Sequence, residues 1–238
     1  MSLVEYSNAD GVATITMNDG RANIMSAQML GEIMAALDEA GNDFAAAVIR
    51  SGMPSTFSAG FDVNVFAARD PQSSLDMVRA GGELIHKMLR FPRPIIGVAD
   101  GQIYPMGLFI LLASDYRIGT ERDYHWALNE VEIGIVPPRY AFELLRYRMS
   151  NAWMTRAMTT ASRFGPRQAI DAGVLDELVA SGELEALVSA VAAKLQAFPP
   201  HVFAGIKKRL TDSVVGRVRQ AIDAEQTLET YQRLLGAK

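Results

Sequence analysis

The stretch from Ile95 to Ser114 constrains the fold most strongly, because it is apolar on nearly every side. Ile95 to Ala99 is a short apolar run between Pro94 and Asp100-Gly101, which predicts a strand buried on both faces. Leu108 to Ser114 then continues as a wholly apolar helix after a loop over 100–107. A helix without a polar face must be surrounded by the rest of the protein. The chain therefore needs a large core built around this helix.

Strands and helices alternate on both sides of this segment. Val4–Ser7 and Val12–Met17 show strand alternation across a turn, and Ser26 is the predicted N-cap of a helix reaching about Ala40. After Pro137 the pattern becomes mostly helical, with helices expected at about 182–196, 199–211 and 214–235. This order predicts an α/β fold with parallel crossovers. We assign residues 1–180 to the α/β core and 181–238 to a C-terminal helical subdomain of the same fold.

Composition excludes several classes of function. The 238 residues are 49% hydrophobic with a net charge of −4, which argues against a nucleic-acid partner. Cysteine is absent and the three histidines are far apart, so neither a thiolate nucleophile nor a metal site is expected. No signal-peptide pattern or run of about 20 apolar residues is present, so we expect a cytoplasmic protein without a membrane partner.

Two small-residue segments are candidate oxyanion sites. In the first, Ser58-Ala59-Gly60-Phe61-Asp62, no bulky side chain shields the backbone N–H groups. Taken alone, this segment is better explained by a tight turn with Asp62 as a helix cap. In the second, the buried helix begins near Met106 and Gly107, where free N–H groups and the positive end of the helix dipole would stabilise an anion. A plain core helix is the structural alternative.

Glu130 is the candidate catalytic base. It lies in Leu128-Asn129-Glu130, within an otherwise apolar segment that ends at Pro137-Pro138. Burial raises the pKa of a carboxyl group, so that it can accept and return a proton near neutral pH. Glu132, two residues on, would face the same side of an extended chain, but a solvent-facing or ion-paired role suits it better.

Together these segments resemble the crotonase superfamily, the enoyl-CoA hydratase/isomerase group. The resemblance covers nearly the whole chain and rests on the common order and spacing of five motifs. They are Phe57–Asp62, Pro92–Gly101, Ala113–Ile118, Leu128–Glu130 with Gly134 and Pro137, and Ala169–Asp176. It implies a crotonase-like (ClpP/crotonase) spiral of ββα units with a C-terminal helical trimerisation region, and a homotrimer or hexamer. It also implies an acyl-CoA thioester substrate and no separate cofactor.

The resemblance assigns roles by position. The N–H groups of Ala59 and Met106 would hold the thioester oxygen. The other substrate contacts would come from Ala22, Ile24, Gly60, Phe61, Asp62, Gly107, Phe109 and Lys207, with Lys208 as the alternative basic contact for CoA phosphates.

Similar hydratases carry a second glutamate on the buried helix, where this chain has Phe109. Glu130 alone resembles the single-glutamate isomerases, so the expected reaction moves the double bond of 3-enoyl-CoA to give 2-enoyl-CoA. A hydratase-like lyase and a catalytically altered acyl-CoA-binding protein are the alternatives.

Overall fold

A six-stranded sheet forms the centre of the computed structural model, which describes residues 1–236. Its strand order is β1-β2-β4-β7-β9-β10, and all pairs except the β1–β2 hairpin are parallel. Two further two-stranded parallel sheets pair β3 with β6 and β5 with β8. The strands are β1 Val4–Ala9, β2 Val12–Met17, β3 Ile24–Met25, β4 Ala46–Ser51, β5 Thr56–Ser58, β6 Gly60–Phe61, β7 Ile95–Ala99, β8 Gln102–Ile103, β9 Tyr116–Thr120 and β10 Glu177–Val179.

In the first half of the chain, helices follow groups of two or three strands, so the order departs in detail from the simple ββα repeat that was expected. The helices are α1 Ala27–Asn42, α2 Val63–Ala67, α3 Pro71–Arg90, α4 Pro105–Ala113, α5 Arg139–Arg148, α6 Asn151–Thr160, α7 Pro166–Ala172, α8 Leu184–Gln196, α9 Pro200–Glu225 and α10 Leu228–Gly236. A short 3₁₀ turn, Ser181–Glu183, precedes α8. Within residues 1–236, no helix is long and apolar enough to cross a membrane.

The large sheet has a core on each face. On β4, Ala47 and Ile49 join the main core, whereas Val48 joins a second cluster under α8. This alternation follows from the two-residue period of a strand. Helix α4 lies in the main core, and its residues Met106 to Ala113 are all buried, as its apolar sequence predicts.

Helix α9 differs from the prediction of a break near residue 212. It runs unbroken for 26 residues, and the chain turns instead at Gln226 and Thr227 before α10. Thr211, the last residue of the predicted helix over 199–211, donates its hydroxyl to the Lys207 carbonyl one turn earlier. A threonine that bonds back to the preceding turn can remain inside a helix.

Candidate active site

The two small-residue segments lie against each other. Strands β5 and β8 pair in parallel, and the Tyr104 N–H donates to the Ser58 carbonyl at 2.9 Å. A Cβ on Gly107 would stand 2.5 Å from the Ser58 Cβ, so only glycine permits this approach of α4 to β5. The main chain of residues 58–60 thus adjoins the N-terminus of α4.

The N-terminus of α4 has no side-chain cap. Tyr104 occupies the N-cap position, but its hydroxyl bonds to His125 Nε2 at 3.0 Å rather than capping the helix, and Pro105 begins the helix. Met106 and Gly107 follow in the first turn, where N–H groups have no acceptor within the helix. Their N–H groups and the positive end of the helix dipole suit an oxygen that carries negative charge. The role of Met106 as an oxyanion donor stays a prediction.

The N–H of Ala59 has an internal acceptor, which corrects its predicted role as a free donor. It donates to the carbonyl of Ala22 at 2.9 Å, and the N–H of Gly60 donates to Ser58 Oγ at 3.0 Å. In this conformation neither group is open to a ligand. The reason is a long-range pairing, because the loop before β3 runs beside residues 59–61.

Asp19 shapes that loop, and the sequence analysis missed it. Its carboxylate accepts hydrogen bonds of 2.8–2.9 Å from the N–H groups of Arg21, Ala22, Asn23 and Ile24. Burial alone would raise the pKa of Asp19, but these four bonds outweigh it and hold the pKa below its usual value. The turn residues Asn18-Asp19-Gly20 were the available signal. Ala22 and Ile24 therefore occupy a fixed loop, and their contact with CoA stays a prediction.

Glu130 is a buried carboxyl group with an unpaired oxygen. Its residue is 7% exposed, and Oε2 has no hydrogen-bond partner among the described residues. Desolvation raises its pKa to about 7, although a hydrogen bond from its own backbone N–H opposes this shift. Near neutral pH such a group exists in both protonation states, as a base that returns its proton requires.

Met106 and Glu130 each follow one of two neighbouring segments that run in parallel. Ile103 and Trp126 form a parallel bridge, and the Ala127 N–H donates to the Ile103 carbonyl at 3.1 Å. Met106 lies three residues after Ile103, and Glu130 lies three residues after Ala127. The parallel directions therefore carry the carboxyl group towards the uncapped end of α4.

Glu132 does not share the orientation of Glu130. Residues 129–135 form turns, in which the Ile135 N–H donates to the Glu130 carbonyl and Gly134 has a φ of +71°. The expectation that an extended chain directs both carboxylates to one side is therefore wrong. Glu132 is exposed and pairs with Arg163 at 3.5 Å, in agreement with its expected ion-paired role.

Two other predicted contacts have clear structural positions. Phe109 is 1% exposed in the middle of α4 and contributes no proton donor or acceptor. Asp62 is the N-cap of α2, where its carboxylate accepts from the Asn64 N–H at 2.9 Å, so the capping alternative is confirmed. Phe61 is half-buried in β6 beside Gly60.

Lys207 is buried, which corrects its predicted contact with CoA phosphates. Its Nζ lies 2.6 Å from Asp115 Oδ2, and the residue is 6% exposed. Asp115 follows the C-terminal end of α4, whereas Met106 lies at the N-terminal end. The Lys207 ammonium is thus ion-paired away from the candidate site, and Lys208, which is exposed, stays a predicted contact. Within residues 1–236, no group of three or more acidic or histidine side chains is arranged to hold a metal ion.

The chain is similar to known proteins over most of its length. The chain is 25% identical over 226 residues to human mitochondrial enoyl-CoA delta isomerase 1, covering 94% of this chain and 75% of that protein. It is also 25% identical over 203 residues to the probable enoyl-CoA hydratase EchA17 of Mycobacterium tuberculosis, covering 85% and 77%.

A solved structure of an enoyl-CoA hydratase/isomerase family protein from Pseudomonas syringae superposes with a TM-score of 0.90. It is 33% identical and covers 94% of this chain and 96% of that one. This superposition confirms the predicted crotonase-like fold. The family model described as enoyl-CoA hydratase/isomerase matches residues 7–233. The chain therefore belongs to the enoyl-CoA hydratase/isomerase family.

Proposed function

We propose that this protein converts 3-enoyl-CoA to 2-enoyl-CoA with Glu130 as the only carboxylate base. The observation that carries the proposal is the buried, unpaired Oε2 of Glu130, together with its pKa of about 7. The ionised carboxylate removes a proton from C2 of the substrate and returns it to C4. The double bond moves from C3–C4 to C2–C3, and no electrons are gained or lost.

Negative charge develops on the thioester oxygen during this transfer. We place that oxygen at the N-terminus of α4, within reach of the Met106 N–H and beside the Gly60–Phe61 strand. Preorganised backbone donors of this kind typically contribute about 10²–10³ in rate. The chemistry needs no metal or separate cofactor, because the CoA thioester itself acidifies C2.

Phe109 favours isomerisation over hydration. Adding water requires one group to deprotonate the water and a positioned proton for the carbon. In α4 the side chain at 109 has no titratable group, and Glu132 is exposed and paired with Arg163. Isomerisation, by contrast, needs only one base that moves a proton between two carbons.

The Glu130→Gln variant tests the proposal. It retains the shape of the side chain but cannot accept a proton, so isomerisation of 3-hexenoyl-CoA should fall by about 10²–10⁴. Glu132→Gln is the matched control and should retain wild-type turnover. Unchanged turnover in Glu130→Gln would remove this residue from the mechanism.

Hydration is the second candidate, and the hydratase name of a 25% identical relative is the reason to test it. Loss of 2-enoyl-CoA absorbance measures it directly. Wild-type turnover of 2-enoyl-CoA well above that of 3-enoyl-CoA would favour the hydratase. If isomerisation is correct, Phe109→Glu should raise the slow hydration rate by supplying the second carboxyl group.

We also propose that the protein is a homotrimer, assembled through an apolar face of α9. Val202, Ile206 and Leu210 follow one another at four-residue spacing, and they are 45%, 56% and 67% exposed. Exposed apolar stripes of this kind mark protein contacts. A second copy of this chain suits the face, because the family resemblance places trimerisation in the C-terminal helices.

Sedimentation of Ile206→Glu tests this assembly. The wild-type protein should sediment as a trimer, or as a hexamer of paired trimers, and the variant should dissociate. Lys208→Glu lies on the opposite side of the same helix and serves as the control. A monomeric wild type would contradict the proposal.

A further inference from the structure

Helix α3 contains two adjacent glycines, Gly81 and Gly82, in its interior. Helix interiors disfavour glycine, so a close approach must explain the pair. A Cβ on Gly81 would stand 2.7 Å from Phe61 Cζ, 3.0 Å from Tyr140 Oη and 3.1 Å from Met106 Sδ. The side chains of three different elements therefore converge on this bare part of α3.

These three side chains form a wall beside the candidate oxyanion site. Met106 contributes both the uncapped N–H and the side chain that reaches Gly81, and it is fully buried. Phe61 belongs to the strand beside that N–H, and its ring packs edge-on against Phe66 at 6.3 Å. Tyr140 is also fully buried, and its hydroxyl donates to the Val78 carbonyl of α3 at 2.9 Å. This hydrogen bond holds the Tyr140 side chain in place in the wall.

We propose that this wall, formed by Phe61, Met106 and Tyr140 against Gly81, closes the acyl pocket and restricts the enzyme to short-chain acyl thioesters. The inference rests on the proposed position of the thioester oxygen at the Met106 N–H. An acyl chain that starts there meets the Met106 side chain and the Phe61 ring within a few carbons. A longer chain must displace side chains that are already packed, and close-packed interiors resist such displacement.

Binding of saturated acyl-CoA esters tests the pocket without requiring any chemistry. Titration calorimetry compares CoA alone with its acetyl, butyryl, hexanoyl, octanoyl and lauroyl esters. Each methylene that enters an apolar pocket should tighten binding about fourfold. For the wild type we expect this gain to stop by the hexanoyl ester. A gain that continues to the lauroyl ester would overturn the proposal.

Variants of the wall test which side chains set the limit. Phe61→Ala and Met106→Ala each remove bulk and should extend the affinity gain to the octanoyl or lauroyl ester. Gly81→Ala adds a methyl group that pushes the wall into the pocket, so it should weaken hexanoyl-CoA binding relative to CoA. Gly31→Ala in α1 is the matched control, because a Cβ there meets nothing within 4 Å.

The possible outcomes separate the two proposals. If the wild type distinguishes chain lengths but does not isomerise 3-enoyl-CoA, the pocket assignment stands and the proposed function fails. If neither wall variant extends the series, the assignment of Phe61 and Met106 is wrong. The wild-type series is decisive even where a variant does not fold.

Discussion

Replacing Glu130 by glutamine should stabilise the protein at alkaline pH while abolishing its activity. Burial raises the pKa of this carboxyl from its ordinary value of 4.5 to about 7. In the unfolded chain it therefore ionises near pH 4.5, and in the folded protein only near pH 7. Between these values the folded state holds one more proton than the unfolded state, so stability falls as pH rises. The full loss is about 3 kcal/mol, at 1.36 kcal/mol per pH unit.

Glutamine is neutral at every pH and escapes this cost. The stability difference between Glu130→Gln and wild type should therefore be larger at pH 8 than at pH 5, by about 2.5 kcal/mol. At pH 5 both side chains are neutral in the folded state. The difference in unfolding free energy between the two proteins at pH 5 therefore measures any change in packing, and it is subtracted from the difference at pH 8. The titrations of the other groups are common to both proteins and cancel.

Urea denaturation followed by far-ultraviolet circular dichroism measures this difference. The protomer concentration must be held constant, because the proposed oligomerisation would make the apparent stability depend on it. Glu132→Gln is the control, since that side chain is exposed and its effect should change by no more than about 0.5 kcal/mol between the two pH values. An equal Glu130→Gln effect at pH 5 and pH 8 would show that the folded carboxyl is not desolvated, and the argument for a neutral-pH base would fail.

Three further predictions concern catalysis and stability. The kcat/KM for isomerisation should rise with pH through about 7, because only the ionised form of Glu130 accepts the proton, and a flat profile from pH 5 to pH 8 would contradict this. Lys207→Met should destabilise the fold by about 3–5 kcal/mol in urea titrations, because it leaves the partly buried charge of Asp115 without its partner. The exposed Lys208→Met should stay within about 0.5 kcal/mol of wild type. Gly107→Ala should lower turnover, because its Cβ would stand 2.5 Å from that of Ser58 and separate the two segments of the site, whereas Gly205→Ala, with nothing within 4 Å, should retain activity.

Local patterns predicted the elements that carry the site. The strand over Ile95–Ala99 has the predicted bounds, and Ser26 caps α1 by accepting from the Met29 N–H. Both depend on neighbouring residues alone, through the run of apolar side chains and the geometry of a helix N-cap. The burial of α4 could also be predicted, because its sequence has no polar face.

Features that depend on distant residues could not be predicted in this way. The acceptor of the Ala59 N–H is the Ala22 carbonyl, 37 positions away in the chain, and no local pattern indicates that pairing. The burial of Lys207 depends on which face of α9 meets Asp115. In both cases the sequence indicated a hydrogen-bond donor or a charge, but the fold determined the group with which it pairs.

Among residues 1–236, two groups of the candidate site have no hydrogen-bond partner, and the proposed thioester would suit both. The first turn of α4 contains buried N–H groups without a side-chain cap, and a helix end without a partner is unusual inside a protein. Glu130 Oε2 is a buried acceptor with no donor among the described residues, which is similarly unfavourable. In the proposed complex, a thioester carbonyl would accept from the first group, and its acidic C2–H would face the second. One ligand would then satisfy both groups without a second carboxylate at Phe109. For this reason we propose proton transfer along an enoyl chain rather than addition of water.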